Sequence, residues 1–260
     1  LHANGQGVVQ NYQEAAKWHQ LAADKGNSLA QYNLGLMFFD GKGVAQNHEE
    51  AAKLYRLAAE QGLPSAQYAL GWMYANGTGV KKDDVEAVKW YQLAADQGDA
   101  SAQYELGVMY DEGRGGRKDD AEAVKWYSRA ANQGHVTAQY NLGVMYDTGE
   151  GVQEDDAVAV IWYRMAADEG RATAQYNLGV MYSNGEGVEK DDEKAALAAM
   201  FVDTSVCCLR LSNTDLPEKL RDVFSTEFSI VAEHGQVPLN LSSFLLDWRS
   251  LESFESCISL

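Results

Sequence analysis

The sequence predicts an all-α fold: an α-solenoid of helix pairs repeated every 36 residues, with a C-terminal helical extension. Three observations predict it. Ala-Ala-x-x-Gly ends at Gly26, Gly62, Gly98, Gly134 and Gly170. Leu-Gly recurs at Leu34-Gly35, Leu70-Gly71, Leu106-Gly107, Leu142-Gly143 and Leu178-Gly179. Asn11, Asn47, Asp83, Asp119, Asp155 and Asp191, all residues that cap helices, keep the same step. Three markers in one register exclude a compositional accident.

Each unit reads as two helices, expected near 28–39 and 47–61 and at every 36-residue step. In the first, Ala138, Leu142 and Met145 fall on one face. Gly149 and Gly151 stop it, and Gly35 with its equivalents permits close helix approach. The second helix starts at the Asn or Asp cap. Glu14, Glu50, Glu86 and Glu122 stand three residues further on, so a reciprocal capping box is expected. It continues through Ala-Val-Lys-Trp-Tyr, as at 87–91, and ends before a glycine suited to positive φ. Trp18, Trp90, Trp126 and Trp162 share one second-helix position, with Leu54 the exception, and are expected in the core. Short links make neighbouring helices antiparallel. One hairpin cannot bury both faces of its helices, so successive hairpins must stack.

The pattern Ala-x-Tyr-x-Leu-Gly-x-Met-Tyr-x-x-Gly-x-Gly-Val, followed by Glu-Ala-x-Lys-Trp-Tyr-x-x-Ala-Ala-x-x-Gly, resembles the Sel1-like repeat, a relative of the tetratricopeptide repeat. The match spans residues 1–196. The resemblance implies a right-handed superhelix that serves as an adaptor for protein complexes. Some bacterial members are secreted and carry a disulfide in each repeat, but no repeat here contains Cys.

The register stops near residue 197. Ala198 and Ala199 stand where Trp162 and Tyr163 stood one period earlier. Two domains are therefore expected, the array at 1–196 and an extension at 197–260 that caps the last repeat or docks a partner. Leu216, Leu220, Val223, Phe224, Phe228 and Val231 give it one apolar helical face; Phe244, Leu245, Trp248, Leu251 and Phe254 give it another. These apolar faces must pack on something.

Lys and Arg total 21 against 38 Asp and Glu, a formal charge of −17. Nucleic-acid binding, which needs a basic stripe, is not expected, nor is attraction to an anionic membrane. No apolar run approaches the ~20 residues of a membrane span. Cys207, Cys208 and Cys257 do not suit a disulfide framework and favour a reducing, cytoplasmic setting. The chain starts at Leu1 inside the repeat, so a fragment or processed form is expected. A periplasmic or secreted setting stays open if a signal peptide was removed.

No catalytic or metal-binding motif emerges. The Gly-x-Gly pairs follow a helix and lack a phosphate-loop Lys, so they are loop glycines. The acidic loops, such as 147–156, lack calcium-ligand spacing. His2, His19, His48, His135 and His234 form no metal pair, and a thiol near His234 reads as a buried residue before a nucleophile. No cofactor is expected.

In the tetratricopeptide relatives the first helix lines a concave groove. That resemblance implies groove positions at Tyr32, Asn33, Leu36, Phe39 and Asp40; Tyr68, Trp72 and Asn76; and Tyr104, Glu105, Val108, Asp111 and Glu112. It adds Tyr140, Asn141, Val144 and Asp147, then Tyr176, Asn177, Val180 and Asn184. These positions vary on a constant frame. Trp72 is either an anchor for a partner side chain or packs on a neighbouring Tyr. Asn33, Asn141 and Asn177 are placed to hydrogen-bond a peptide backbone, and the carboxylates favour a basic segment. The expected function is a non-enzymatic adaptor that binds a protein or peptide. The alternative is a hydrolase built on the same solenoid.

Overall fold

The computed structural model describes residues 11–195. The expected boundary near 197 and the helical faces expected after it lie outside the described residues, as do Cys207, Cys208 and His234. The helices are α1 (Tyr12–Ala23), α2 (Ser28–Asp40), α3 (His48–Glu60), α4 (Pro64–Asn76), α5 (Asp84–Asp96), α6 (Ala100–Glu112), α7 (Asp120–Asn132), α8 (Val136–Thr148), α9 (Asp156–Asp168) and α10 (Ala172–Asn184). No strand occurs among the described residues. Each helix packs chiefly on its neighbours in sequence, as a solenoid requires. Even-numbered helices are the first members of the pairs, and odd-numbered helices the second.

The core is built from small residues, with one aromatic per repeat. Ala138, Leu142 and Met145 of α8 are buried, as are their equivalents in α4 and α6. The large buried ring is not the expected tryptophan. Trp18 is 58% exposed, and only Trp126 of the stripe is buried, along with Leu54. Trp90 and Trp162 are half-buried. The deeply buried column is the next residue: Tyr55, Tyr91, Tyr127 and Tyr163, at 2% exposure or less. One step along a helix turns a side chain by about 100°, and that step brings the tyrosine against the first-helix glycine. A Cβ on Gly107 would lie 2.4 Å from Tyr127, and one on Gly35, Gly71 or Gly143 would lie 2.6–2.7 Å from its own tyrosine.

The cap residues behave as expected on one side only. Asn11, Asn47, Asp119 and Asp155 each accept the N–H three residues on, and Asp83 accepts those of Val85 and Glu86, two and three residues on. The reciprocal half of the capping box does not form. The N–H of Asn47 donates to the Phe38 carbonyl at 2.8 Å, and those of Asp83, Asp119 and Asp155 to Tyr74, Tyr110 and Tyr146. That donor is therefore already satisfied from the preceding helix. Glu14, Glu50, Glu86 and Glu122 pair instead with Lys17, Lys53, Lys89 and Lys125, one turn on. These exposed pairs contribute little to stability.

Two further devices tie one repeat to the next. The second glycine of each Gly-x-Gly sits on the first turn of the preceding second helix. At Gly79 φ is +67°, and a Cβ there would lie 2.2 Å from the His48 carbonyl oxygen. The second device is a chain of buried amides. Gln31, Gln67, Gln103 and Gln139 donate to the carbonyls of Ala23, Ala59, Ala95 and Ala131. Gln31, Gln67 and Gln103 also accept, at 2.7 Å, from Gln61, Gln97 and Gln133 at the ends of α3, α5 and α7. At the end of α9 that residue is Glu169. An ionised carboxylate has no proton to give, and the Gln139 Oε1 is buried without a partner.

Two stability outcomes follow from this packing. Gly107→Val should lower the denaturant midpoint by the equivalent of about 3 kcal/mol, since the Tyr127 ring has nowhere to go. A midpoint at or above that of the parent chain would disprove the contact. Glu169→Gln should raise the midpoint by about 1 kcal/mol, by completing the fourth amide bridge. An unchanged midpoint would show that water already serves Gln139.

Candidate functional site

The sequence-predicted site residues all lie on the first helices, α2, α4, α6, α8 and α10, and all are half-buried or exposed. Leu36, Asp40, Asn76, Glu112, Tyr176, Val180 and Asn184 are exposed. Asp147, Tyr176, Asn177 and Val180 come together with Met181 and Glu186 around a shallow open depression of about 200 Å³. The other positions lie at the equivalent register of successive first helices.

The floor of this face is a tyrosine stack. Tyr32, Tyr68, Tyr104 and Tyr140 rest on buried Tyr55, Tyr91, Tyr127 and Tyr163, with ring centroids 5.6–5.9 Å apart. Burial raises the pKa of each buried phenol well above the ordinary range, so all remain protonated. Their hydroxyls reach the predicted site residues. Tyr127 donates to Asp111 at 3.4 Å, and Tyr163 donates to Asp147 at 3.0 Å. Asn141 lies near the Tyr127 and Tyr104 hydroxyls, and Asn177 near that of Tyr163.

Trp72 packs edge-on against Phe39 of the preceding repeat, with centroids 5.7 Å apart. It also covers the core around Tyr91 while staying half-buried. The ring that Trp72 meets is thus a phenylalanine from the repeat before. Asn76 donates to the Trp72 carbonyl, and Asn184 to Glu186. Glu105 is half-buried, and burial raises its carboxyl pKa while Arg114 acts to lower it. Asp111 also faces Lys118 at 3.7 Å.

Two residues of this face were not anticipated. His135 stacks on Tyr104 at 4.5 Å, and the Arg171 guanidinium lies over Tyr140 at 4.4 Å. Both occupy the residue just before a first helix, where earlier repeats carry Asn27, Leu63 and Asp99. The signal was a register position that changes in every repeat. His135 is also a cap, its Nδ1 accepting the Ala138 N–H at 3.2 Å.

No group of His, Cys, Asp and Glu suited to holding a metal ion occurs among the described residues. No described helix is long and apolar enough to cross a membrane.

The cap at His135 makes stability pH-dependent. Burial lowers its pKa first of all, helped by Arg171 and opposed by its own backbone. The unfolded value is near 6.5, so the folded form favours the neutral ring. Its contribution is whole above that pH and is lost as pH falls through the lower folded value. His135→Asn keeps a capping oxygen without a titrating group. The stability of the parent chain should therefore fall relative to His135→Asn between pH 7.5 and 5, by no more than the ~1 kcal/mol of a cap. Parallel curves for the two proteins would overturn this.

Comparison with known proteins agrees with the geometry. A search among curated proteins found no match. Among solved structures, the chain is similar to a protective antigen of uropathogenic Escherichia coli with an SLR fold, at 40% identity and a TM-score of 0.76. That match covers 77% of this chain but 43% of the antigen, so the chain spans less than half of that relative's length. It is also similar to a Sel1 repeat protein of Oxalobacter formigenes, at 41% identity and a TM-score of 0.69, covering 77% of this chain and 82% of the other. A family model described as Sel1 repeat matches residues 1–27, 28–63, 64–99, 100–135, 136–170 and 172–197. With that much of its length matched in register, the chain belongs to the Sel1 repeat family.

Proposed function

We propose that the protein is a non-enzymatic adaptor that binds a protein or peptide segment along the first-helix face. One observation carries this reading. The glycines, alanines and caps that hold the helices recur in every repeat, while the exposed first-helix positions change between Leu, Trp and Val or between Asn and Glu. A rigid frame with a variable face suits recognition of one particular surface. The family's resemblance to peptide-binding solenoids supports the choice of this face, and Asp40, Glu105, Asp111, Glu112 and Asp147 favour a partner segment that is basic. The extension at 197–260 caps the last repeat or supplies a second contact in this reading.

The test is affinity capture from the source cell with the full chain and two folded variants. One carries Leu36→Glu, Trp72→Glu and Val180→Glu on the first-helix face. The other carries Leu57→Glu, Leu93→Glu and Met165→Glu at exposed second-helix positions. Proteins recovered by the parent should be lost from the first variant and kept by the second. The reverse pattern would move the site to the second helices.

A further inference from the structure

We propose that the first-helix face holds, at Tyr91 between α4 and α6, a subsite for one lysine or arginine side chain of the partner. This deepens the adaptor reading and rests on it.

The site departs from the arrangement that the two later tyrosines share, and it differs from Tyr55, where Phe39 and Ala69 fill the two positions. At Tyr127 the hydroxyl meets Asp111 of its own repeat and Asn141 of the next; at Tyr163 it meets Asp147 and Asn177. At Tyr91 the two equivalent positions are Ala75 and Glu105. The Tyr91 side chain is 1% exposed, and its hydroxyl has no hydrogen-bond partner. Glu105 has neither a hydrogen bond nor an ion pair among the described residues, although it is half-buried. Two unmet polar groups thus lie close enough to couple electrostatically, one of them a carboxylate drawn partly out of water. Such a charge is costly until a cation or donors meet it.

The chain's own cation does not meet it. Arg114 lies near both groups, yet its guanidinium donates to Asp84 at 2.8 Å, to the Ala75 carbonyl at 3.3 Å and to Glu112 at 3.5 Å. Lys82 also faces Asp84 at 3.9 Å, so Glu105, Glu112 and Asp84 outnumber two cations by one, and the spot stays acidic. Tyr68 and Trp72 pack beside Tyr91 as half-buried aromatic walls. They suit the methylene stem of a basic side chain and add attraction between cation and ring. The ammonium or guanidinium would donate to the Glu105 carboxylate, above the unpartnered Tyr91 hydroxyl.

The probe is acetylated penta-lysine, with penta-glutamine as the neutral control, titrated into the full chain with tryptophan fluorescence as readout. Glu105→Asn restores the residue found at Asn141 and Asn177, so the variant is compatible with the fold. Penta-lysine should bind the parent and not bind through penta-glutamine-like backbone contacts alone. Glu105→Asn should weaken it by about tenfold or more, the worth of a charge-assisted hydrogen bond. Glu112→Gln, which removes equal charge from an exposed site, should weaken it less than threefold. Equal binding by parent and Glu105→Asn overturns the subsite, as does an equal loss in both variants, which would mean general acidity only. No binding of penta-lysine to the parent also overturns it. In each of those cases the adaptor reading is judged separately by whether the first-helix triple variant loses its captured proteins.

Discussion

The contact between a helix glycine and a buried tyrosine is the constraint on which the rest of the structure depends. It recurs at Gly35–Tyr55, Gly71–Tyr91, Gly107–Tyr127 and Gly143–Tyr163. The glycine removes the atoms that would hold the two helices of a pair apart, and the ring fills the space between them. Because the ring is pinned, its hydroxyl is pinned as well. That hydroxyl emerges among the first-helix residues, at Asp111 and Asn141 or at Asp147 and Asn177. One residue per repeat therefore belongs to the core at its ring and to the exposed face at its oxygen.

Neighbouring repeats are joined by contacts that reach one repeat and no further. The buried amide of Gln67 ties α3, α4 and α5 together, and Gly79 seats its loop on the start of α3. Stability in such an array is close to a sum of local terms, so a defect stays where it arises. The missing donor at Glu169 leaves Gln139 unserved without disturbing the three bridges before it. Tyr91 and Tyr55 lack the Asp and Asn partners of Tyr127 and Tyr163, with Ala75 and Glu105 or Phe39 and Ala69 in their places, and the later repeats keep theirs. Confinement of this kind lets the exposed face differ from repeat to repeat while the frame does not.

Most of the fold was legible in the sequence, because glycines and caps punctuate helices through backbone chemistry that needs no tertiary context. The expected 28–39 and 47–61 helices match α2 and α3 to within a residue. The misreadings have a common source in partners that lie on another helix. Trp and Tyr are adjacent in the repeat, and either could face inward. Gly107 decides for Tyr127, from a helix that period alone does not position. The capping glutamates were read from local spacing, but the N–H they would have served is taken by the carbonyl ending the previous helix. On the exposed face, spacing placed the residues on the right helices. It gave no sign that Asp111 is tied to Tyr127, or that His135 and Arg171 cover the rings beside them.

These internal ties change what the face can offer. Asp111 and Asp147 are oriented by the hydroxyls beneath them, so their free hydrogen-bonding sites point in fixed directions. A ligand that uses them loses little side-chain entropy on binding, which favours affinity from preorganisation over affinity from contact area. Glu105 is the exception, longer than its equivalents and unattached, with a hydroxyl below it that nothing occupies. In the proposed reading, held carboxylates would fix the course of a bound segment, and one unheld carboxylate beside two aromatic walls would select among side chains. The same stack that fixes the helices would thereby separate positioning from selection.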